Sequence, residues 1–179
     1  MGLKMQIVPI DFEKISLKSS ILVFTTNGNI KKNGRAVMGR GIAKWVKDNL
    51  FFSCDGKIWT KPDILLGKLL KENGNRVYSF IAFKKGMKPE DYFMALSFPT
   101  KHNWWEKSDT KLILQSANQT VEILQNVKPY FKKVFLPVFG TENGKLTLEE
   151  VRPILEQLVF ELQQLGFEVI VFKRKKLTR

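Results

Sequence analysis

The chain predicts an α/β fold built on a mixed, largely parallel sheet. Short β-prone runs alternate with amphipathic helical stretches from one end to the other. Two of those runs pass through glycine-bearing loops straight into a helix start. The 179 residues, 44% of them apolar, are enough for one well-buried core and too few for two ordinary domains. Strands alternating with helices pack as helical layers on a central sheet, so a single domain spanning 1–179 is expected.

Residues 5–10 and 21–25 are rich in Ile, Val and Phe between polar breaks, and both are expected to be strands. In 41–50, Ile42, Ala43, Trp45, Val46 and Leu50 recur at helical spacing behind a glycine-rich loop, which predicts a helix N-terminus there. The turn signals Cys54-Asp55-Gly56 and Glu72-Asn73-Gly74-Asn75 flank apolar runs at 64–70 and 77–83, a pattern that predicts a hairpin. Residues 94–98 read as another strand, interrupted by Pro99. Ser108 or Asp109 stands where it caps a helix reaching about Lys128. A buried strand follows at 134–139. Thr147 and Glu150 have the spacing of a capping box, ahead of Val151, Leu155, Leu158, Val159 and Leu162 on one helical face. Pro153 lies deep for a first-turn proline and predicts a kinked or displaced start. Gly166 closes this helix, 167–172 supply a last strand, and 173–179 are a basic tail expected to fray.

No apolar run approaches the roughly 18 residues of a membrane span. The first stretch carries Lys4, Gln6, Asp11 and Glu13, unlike a secretory signal, and Gln6 stands where a myristoylation motif after Met1-Gly2 wants Ser or Thr. A cytoplasmic monomer with no membrane partner is the expectation. Cys54 is the single cysteine and His102 the single histidine, which leaves no disulfide and no metal cluster built from them, and no cofactor is expected. Thirty Lys and Arg against seventeen Asp and Glu give a formal charge of +13. That balance attracts polyanions, and it also simply keeps a small protein soluble; both readings stay open.

The loop at 27–41 is rich in glycine, asparagine and basic residues. Glycines let the backbone approach a ligand closely, and unpaired N–H groups at a helix start carry roughly half a positive charge that favours phosphate. The spacing from Gly34 to Gly39 is that of a P-loop, but Arg40 and Gly41 replace the lysine and hydroxyl that nucleotide hydrolysis needs. Lys44 stands where a dinucleotide fingerprint needs its third glycine. Phe139-Gly140-Thr141-Glu142-Asn143-Gly144-Lys145 repeats the strand-loop-helix arrangement, and two such loops can converge on one extended phosphate ligand beyond the carboxyl ends of the strands. The alternative is a pair of turns that use glycine for positive φ and bind nothing.

Thr25-Thr26-Asn27 followed by Ala36-Val37-Met38-Gly39-Arg40-Gly41-Ile42-Ala43 resembles the first ligand loop of macro domains. Phe98-Pro99-Thr100-Lys101 and the run from Leu136 to Leu146 resemble the same family again, in the same order. The likeness covers about 21–158, is weaker between 51 and 94, and points to the branch of terminal ADP-ribose glycohydrolases and antitoxin macro domains that strip ADP-ribose from thymidine in DNA. The resemblance implies a three-layer α/β/α sandwich whose cleft binds ADP-ribose. Gly34, Ala36, Val37, Met38, Gly39, Gly41 and Ile42 would contribute from the first loop, and Gly140, Thr141, Glu142, Asn143 and Gly144 from the second. By the same resemblance Asp11 meets the adenine amino group, Phe172 stacks on adenine, Asn27 bonds the distal ribose through its donor and acceptor, and Lys101 acts at the anomeric carbon.

Two departures stand out. Phe24 occupies a position where many relatives carry asparagine, and Gly144 one where protein-directed relatives carry a catalytic aspartate. The antitoxin-like relatives lack that aspartate, so the implied partner is an ADP-ribosylated nucleic acid, DNA or RNA, rather than a protein. Trp104 and Trp105 beside Lys101, Lys107 and Lys111 suit stacking on bases and gripping phosphates, although adjacent indoles more often pack as core. Plain readings remain for the others: a turn for Asn27, core for Phe172, solvated carboxylates for Asp11 and Glu142, a structural hydrogen bond for His102. The expected activity is hydrolytic removal of ADP-ribose. The alternatives are a non-catalytic reader, processing of ADP-ribose 1″-phosphate, and nucleic-acid binding by charge alone.

Overall fold

The run Ser20–Thr26, strand β2, shows why the sheet needs cover on both sides. Successive strand residues point to opposite faces, and here Ile21 and Val23 enter one apolar cluster while Leu22 and Phe24 enter another, all four fully buried. The computed structural model describes residues 5–127 and 129–175. The remaining elements are β1 (Ile7–Ile10), α1 (Gly41–Asn49), β3 (Leu50–Ser53), α2 (Pro62–Asn73), β4 (Tyr78–Lys84), β5 (Phe93–Pro99), α3 (Thr110–Leu124), β6 (Lys133–Pro137), α4 (Leu148–Gln164) and β7 (Glu168–Arg174).

The strands form one sheet of seven in the order β1-β7-β6-β2-β5-β4-β3. The first five run parallel, and β4 and β3 join as antiparallel partners beyond β5. Helices α1 and α2 cover one face through Trp45, Val46, Leu66 and Leu70; α3 and α4 cover the other through Ile113, Leu155, Leu158 and Leu162. This is the expected three-layer α/β/α sandwich with a mixed, largely parallel sheet. Because β1, β7, β6, β2 and β5 are parallel, the segments that follow them all leave from one pole. β2 feeds α1 on one face, whereas its neighbour β6 feeds α4 on the other, and such a reversal opens a crevice between strand ends.

The largest departure from the sequence-based expectation lies at 64–70, which is helix and not one arm of a hairpin. Pro62, Asp63, Leu66, Gly67 and Leu70 are the buried positions of α2, a helical spacing. Pro62 and Asp63 suit a first turn, and Gly74, at φ +87, stops the helix. The partner of β4 is instead β3, immediately after α1. Pro99 ends β5 and does not interrupt it. Asp109 caps α3 by accepting from Lys111 N at 3.0 Å. That helix stops at Leu124, short of Lys128, which lies outside the described residues. Thr147 caps α4 in the expected box, so Pro153 sits inside the helix and its start is not displaced. Of the basic tail, Lys173 and Arg174 belong to β7, Lys175 N donates to Ile10 O, and 176–179 lie outside the described residues. Among the described residues no helix is long and apolar enough to cross a membrane.

Two substitutions test the α4 layer. Leu155→Ala deletes a fully buried side chain and is expected to lower unfolding free energy by about 2–5 kcal/mol. Thr147→Ala removes the capping hydroxyl and is expected to cost about 1 kcal/mol. Denaturant unfolding monitored by circular dichroism measures both.

Candidate functional site

At the pole where the parallel strands end, a cleft of about 350 Å³ opens between the ends of β2, β6 and β7 and the start of α1. Its volume is within the usual range for small-molecule sites.

The first wall is the N-terminus of α1. Arg40 is its N-cap residue, extended at φ −142, ψ 155, with no side-chain cap and no acidic residue in the first turn. The N–H groups of Gly39, Gly41, Ile42 and Ala43 have no hydrogen-bond partner among the described residues. Such unpaired amides, aligned with the helix dipole, favour an anion. The earlier part of the same loop is organised differently. Ile30 bridges Ala36, Gly34 N donates to Lys31 O at 2.9 Å, and Ala36 N donates to Asp63 O at 2.9 Å. Gly67 in α2 permits this, since a Cβ there would collide with Gly34 O and Ala36 N. Gly34 and Ala36, two of the residues the resemblance implies for the ligand, are thus folded against α2 and do not line the cleft. Val37 lines the cleft with its amide already donated to Asn29 O at 3.2 Å. Met38, Gly39, Gly41 and Ile42 line it.

The second wall is the loop after β6. Gly140 has φ +80, and a Cβ there would press on Ile113 and Leu146 at 3.0 and 3.1 Å, so only glycine fits. Leu146 N closes the loop on Gly140 O at 2.9 Å, while the N–H groups of residues 140–144 have no partner among the described residues. Gly140, Glu142, Asn143 and Gly144 line the cleft. Thr141 does not; its hydroxyl turns back to donate to Val138 O at 3.2 Å. The two walls meet: a Cβ on Gly41 would lie 3.2 Å from Asn143 Nδ2. Gly144 donates no side chain and has room for none. Its carbonyl accepts from Ser108 N at 2.9 Å, and a Cβ would collide with Ser108 Oγ and Gly140 O.

Asn27 and Lys101 both line the cleft, and the residues after them are joined by a bond from Gly28 N to His102 O at 3.1 Å. Asn27 Oδ1 accepts from Asn29 N at 3.0 Å and its Nδ2 donates to Val37 O at 3.2 Å, the turn contact anticipated as the plain reading. One amide hydrogen and one lone pair remain for a ligand. Lys101 Nζ donates to Asn143 O at 2.7 Å and Trp104 O at 3.3 Å, tying the segment after β5 to the second wall. Burial, followed by the nearby charges of Lys145 and Arg40, holds this amine below the ordinary lysine range.

Both indoles are exposed, Trp104 47% and Trp105 62%, so neither packs as core. Trp104 lines the cleft with the Arg40 guanidinium 5.9 Å from its ring centroid. His102 Nε2 pairs with Asp109 Oδ2 at 2.9 Å, and that contact, with the capping bonds, holds the Asp109 carboxyl below the usual carboxylate range. At the other end Phe172 lines the cleft while almost wholly buried, edge-on to Phe12 at 5.0 Å, with Lys173 and Arg174 beside it. Asp11 is not in the cleft: its Oδ1 accepts from Glu13 N at 2.9 Å in a local turn after β1. Phe24 is buried against Phe52, so no polar group stands in place of the missing asparagine.

Arg40, Lys173 and Arg174 are cleft residues that the sequence reading left out. In sequence the last two read as part of a basic tail, but a seventh strand parallel to β6 has to end at the same pole. Among the described residues no group of His, Cys, Asp and Glu is arranged to hold a metal.

No family model and no curated protein matches the sequence. Solved structures do match in fold. The macrodomain of Mycobacterium tuberculosis DarG aligns with a TM-score of 0.65 at 21% identity, over 97% of this chain and 100% of that one. The macrodomain of Thermus aquaticus DarG gives 0.62 at 22%, over 96% and 99%. Thermosipho africanus DarTG in complex with ADP-ribose gives 0.62 at 21%, over 89% of this chain, which spans only 39% of that one. The fold is that of a macrodomain.

Two outcomes follow for the site. Gly144→Asp forces a side chain into filled space and is expected to destabilise the protein by about 1–3 kcal/mol, read by thermal unfolding. The Lys101 amine is expected to titrate below an ordinary lysine in an NMR titration of labelled lysine, and Lys145→Gln to move it back up. The folded value lies below the unfolded one, so the folded state disfavours the charged amine at low and neutral pH. That penalty disappears as pH rises through the folded value towards the unfolded one.

Proposed function

We propose that this macrodomain-fold protein binds ADP-ribose in the cleft and hydrolyses it from a modified substrate, with nucleic acid favoured over protein. The observation that carries the reading is the pair of facing walls whose main-chain amides, at 39–43 and 140–144, have no partner within the described residues. A pyrophosphate fits that arrangement because it offers several acceptor oxygens and negative charge to convergent N–H donors. The basic rim of Arg40, Lys101, Lys173 and Arg174 reinforces the preference for an anion. The ADP-ribose complex of the Thermosipho chain supports the choice of ligand.

In this reading the diphosphate lies on the two walls, the distal ribose meets the spare donor and acceptor of Asn27, and the adenine lies toward Phe172. Lys101 acts at C1 of the distal ribose. The burial and neighbouring cations that lower its pKa raise the fraction of free amine available for attack. Its lone pair forms a bond to C1 as the bond from C1 to the substrate breaks, and the departing group keeps the electron pair and takes a proton from water. Water then cleaves the C1–N bond, releasing ADP-ribose and the amine. The charge of +13, the exposed Trp104–Trp105 pair and the exposed Lys107 and Lys111 support a nucleic-acid substrate.

A second reading, a non-catalytic reader of ADP-ribosylation, is favoured by Gly144, where the packing excludes a carboxylate. Lys101→Ala separates the two. Calorimetry is expected to give ADP-ribose affinity within a few-fold of wild type, while release of ADP-ribose from a modified oligonucleotide falls about a hundredfold or more. A wild type that binds and releases nothing is a reader, and one that gives no heat with ADP-ribose contradicts both readings. The hydrolase rate is expected to rise with pH and level off above the lowered Lys101 pKa; a rate that falls over that range contradicts attack by the free amine.

A further inference from the structure

Lys101 belongs to a segment that other parts of the chain grip by its main chain. Asn75, on the turn between α2 and β4, donates from Nδ2 to the carbonyl of Lys101 itself at 3.0 Å. Gly28 N donates to the next carbonyl, that of His102, at 3.1 Å. Asn29 accepts from Trp104 N through Oδ1 at 2.6 Å and donates from Nδ2 to Asn103 Oδ1 at 3.0 Å. The Lys101 side chain then spans from this fixed base to Asn143 O.

Asn75 and Gly28 fit one another. A Cβ on Gly28 would lie 2.9 Å from Asn75 Nδ2, 3.0 Å from its Cγ and 2.8 Å from His102 O. Glycine at 28 is what lets the Asn75 amide come close enough to reach the Lys101 carbonyl. The Oδ1 of Asn75 is buried and has no partner among the described residues. An unpaired buried acceptor is unfavourable, so the residue is not explained by satisfying its own hydrogen bonds. What it contributes is its donor. Neither Asn75 nor Gly28 lines the cleft.

We propose that Asn75, seated against Gly28, is a positioning residue that holds the Lys101 main chain so that its amine is presented at the cleft. The inference rests on the reading of Lys101 as the group that acts on the distal ribose. Catalytic groups lose rate steeply when displaced: a shift of about 1 Å costs on the order of a hundredfold. The amides of the diphosphate walls belong to other segments, which Lys101 meets through its Nζ bond to Asn143 O.

The test uses the full chain and three variants. Asn75→Leu keeps the branching at Cγ, at a larger volume, and removes the donor without adding charge; Asn75→Ala removes the side chain; Gly28→Ala pushes the Asn75 amide away without changing that residue. Each is measured for melting temperature, ADP-ribose affinity, kcat and KM on an ADP-ribosylated oligonucleotide, and the NMR titration of Lys101. All three are expected to bind ADP-ribose within about threefold of wild type, with kcat about a hundredfold lower and KM little changed. The Lys101 titration is expected to move up as the amine leaves its partly buried seat, carrying the pH profile with it. Wild-type kcat or an unmoved Lys101 titration in a folded Asn75→Leu overturns the proposal, as does loss of rate in Asn75→Ala alone, which would make the role one of packing. If the wild type itself releases nothing, the hydrolase reading has failed, and the Lys101 titration still decides whether Asn75 positions the amine.

Discussion

The N-terminus of α1 faces the cleft without a cap, and much of the molecule is arranged around that fact. A helix leaves its first N–H groups unpaired, and most helices satisfy them with a side chain. Here α3 uses Asp109 and α4 uses Thr147, each with a bond to a nearby N–H, whereas α1 begins at Arg40 with nothing offered to its amides. Two helices, α1 and α2, begin without a side-chain cap, and of these it is α1 whose first turn lines the basic cleft. Opposite it, the N–H groups of 140–144 in the loop after β6 have no partner among the described residues, and Gly140 and Gly144 hold the loop's path because side chains at either position meet filled space.

The sheet topology brings these two features together. β2 and β6 are adjacent and parallel, so their exits share one pole, and their helices depart to opposite faces. The crevice between them receives one wall from each. Phe172 to Arg174 arrive from the neighbouring strand β7, and Lys101 from β5 on the other side of β2. Distant parts of the sequence therefore meet at a single cleft because five strands run the same way.

Much of this was legible in the sequence, and the failures have physical causes. The capping box at Thr147 and Glu150 is a local device, so its pattern survives folding unchanged. The run at 64–70 was misread because its leucines look alike in a strand or a helix; what decides is the burial of Asp63 and Gly67, which depends on the loop at 34–36 lying across α2. The same contact keeps Gly34 and Ala36 out of the cleft lining, since a glycine-rich string does not reveal which of its amides are already spent on another element. Lys173 and Arg174 looked like a charged tail, and only their pairing beside β1 turns them toward the cleft. The exposure of both indoles is equally hidden, because adjacent tryptophans read alike whether they pack as core or stand in solvent.

The most direct test of the central claim is a titration of 15N-labelled protein with ADP-ribose, following each backbone amide by NMR. The account predicts that the resonances of Gly39, Gly41, Ile42 and residues 140–144 move together and saturate at one ligand concentration, while Gly34 and Ala36, already bonded or folded against α2, barely change. Large shifts at Gly34 and Ala36 with little change at Gly41 or Gly140 would contradict it.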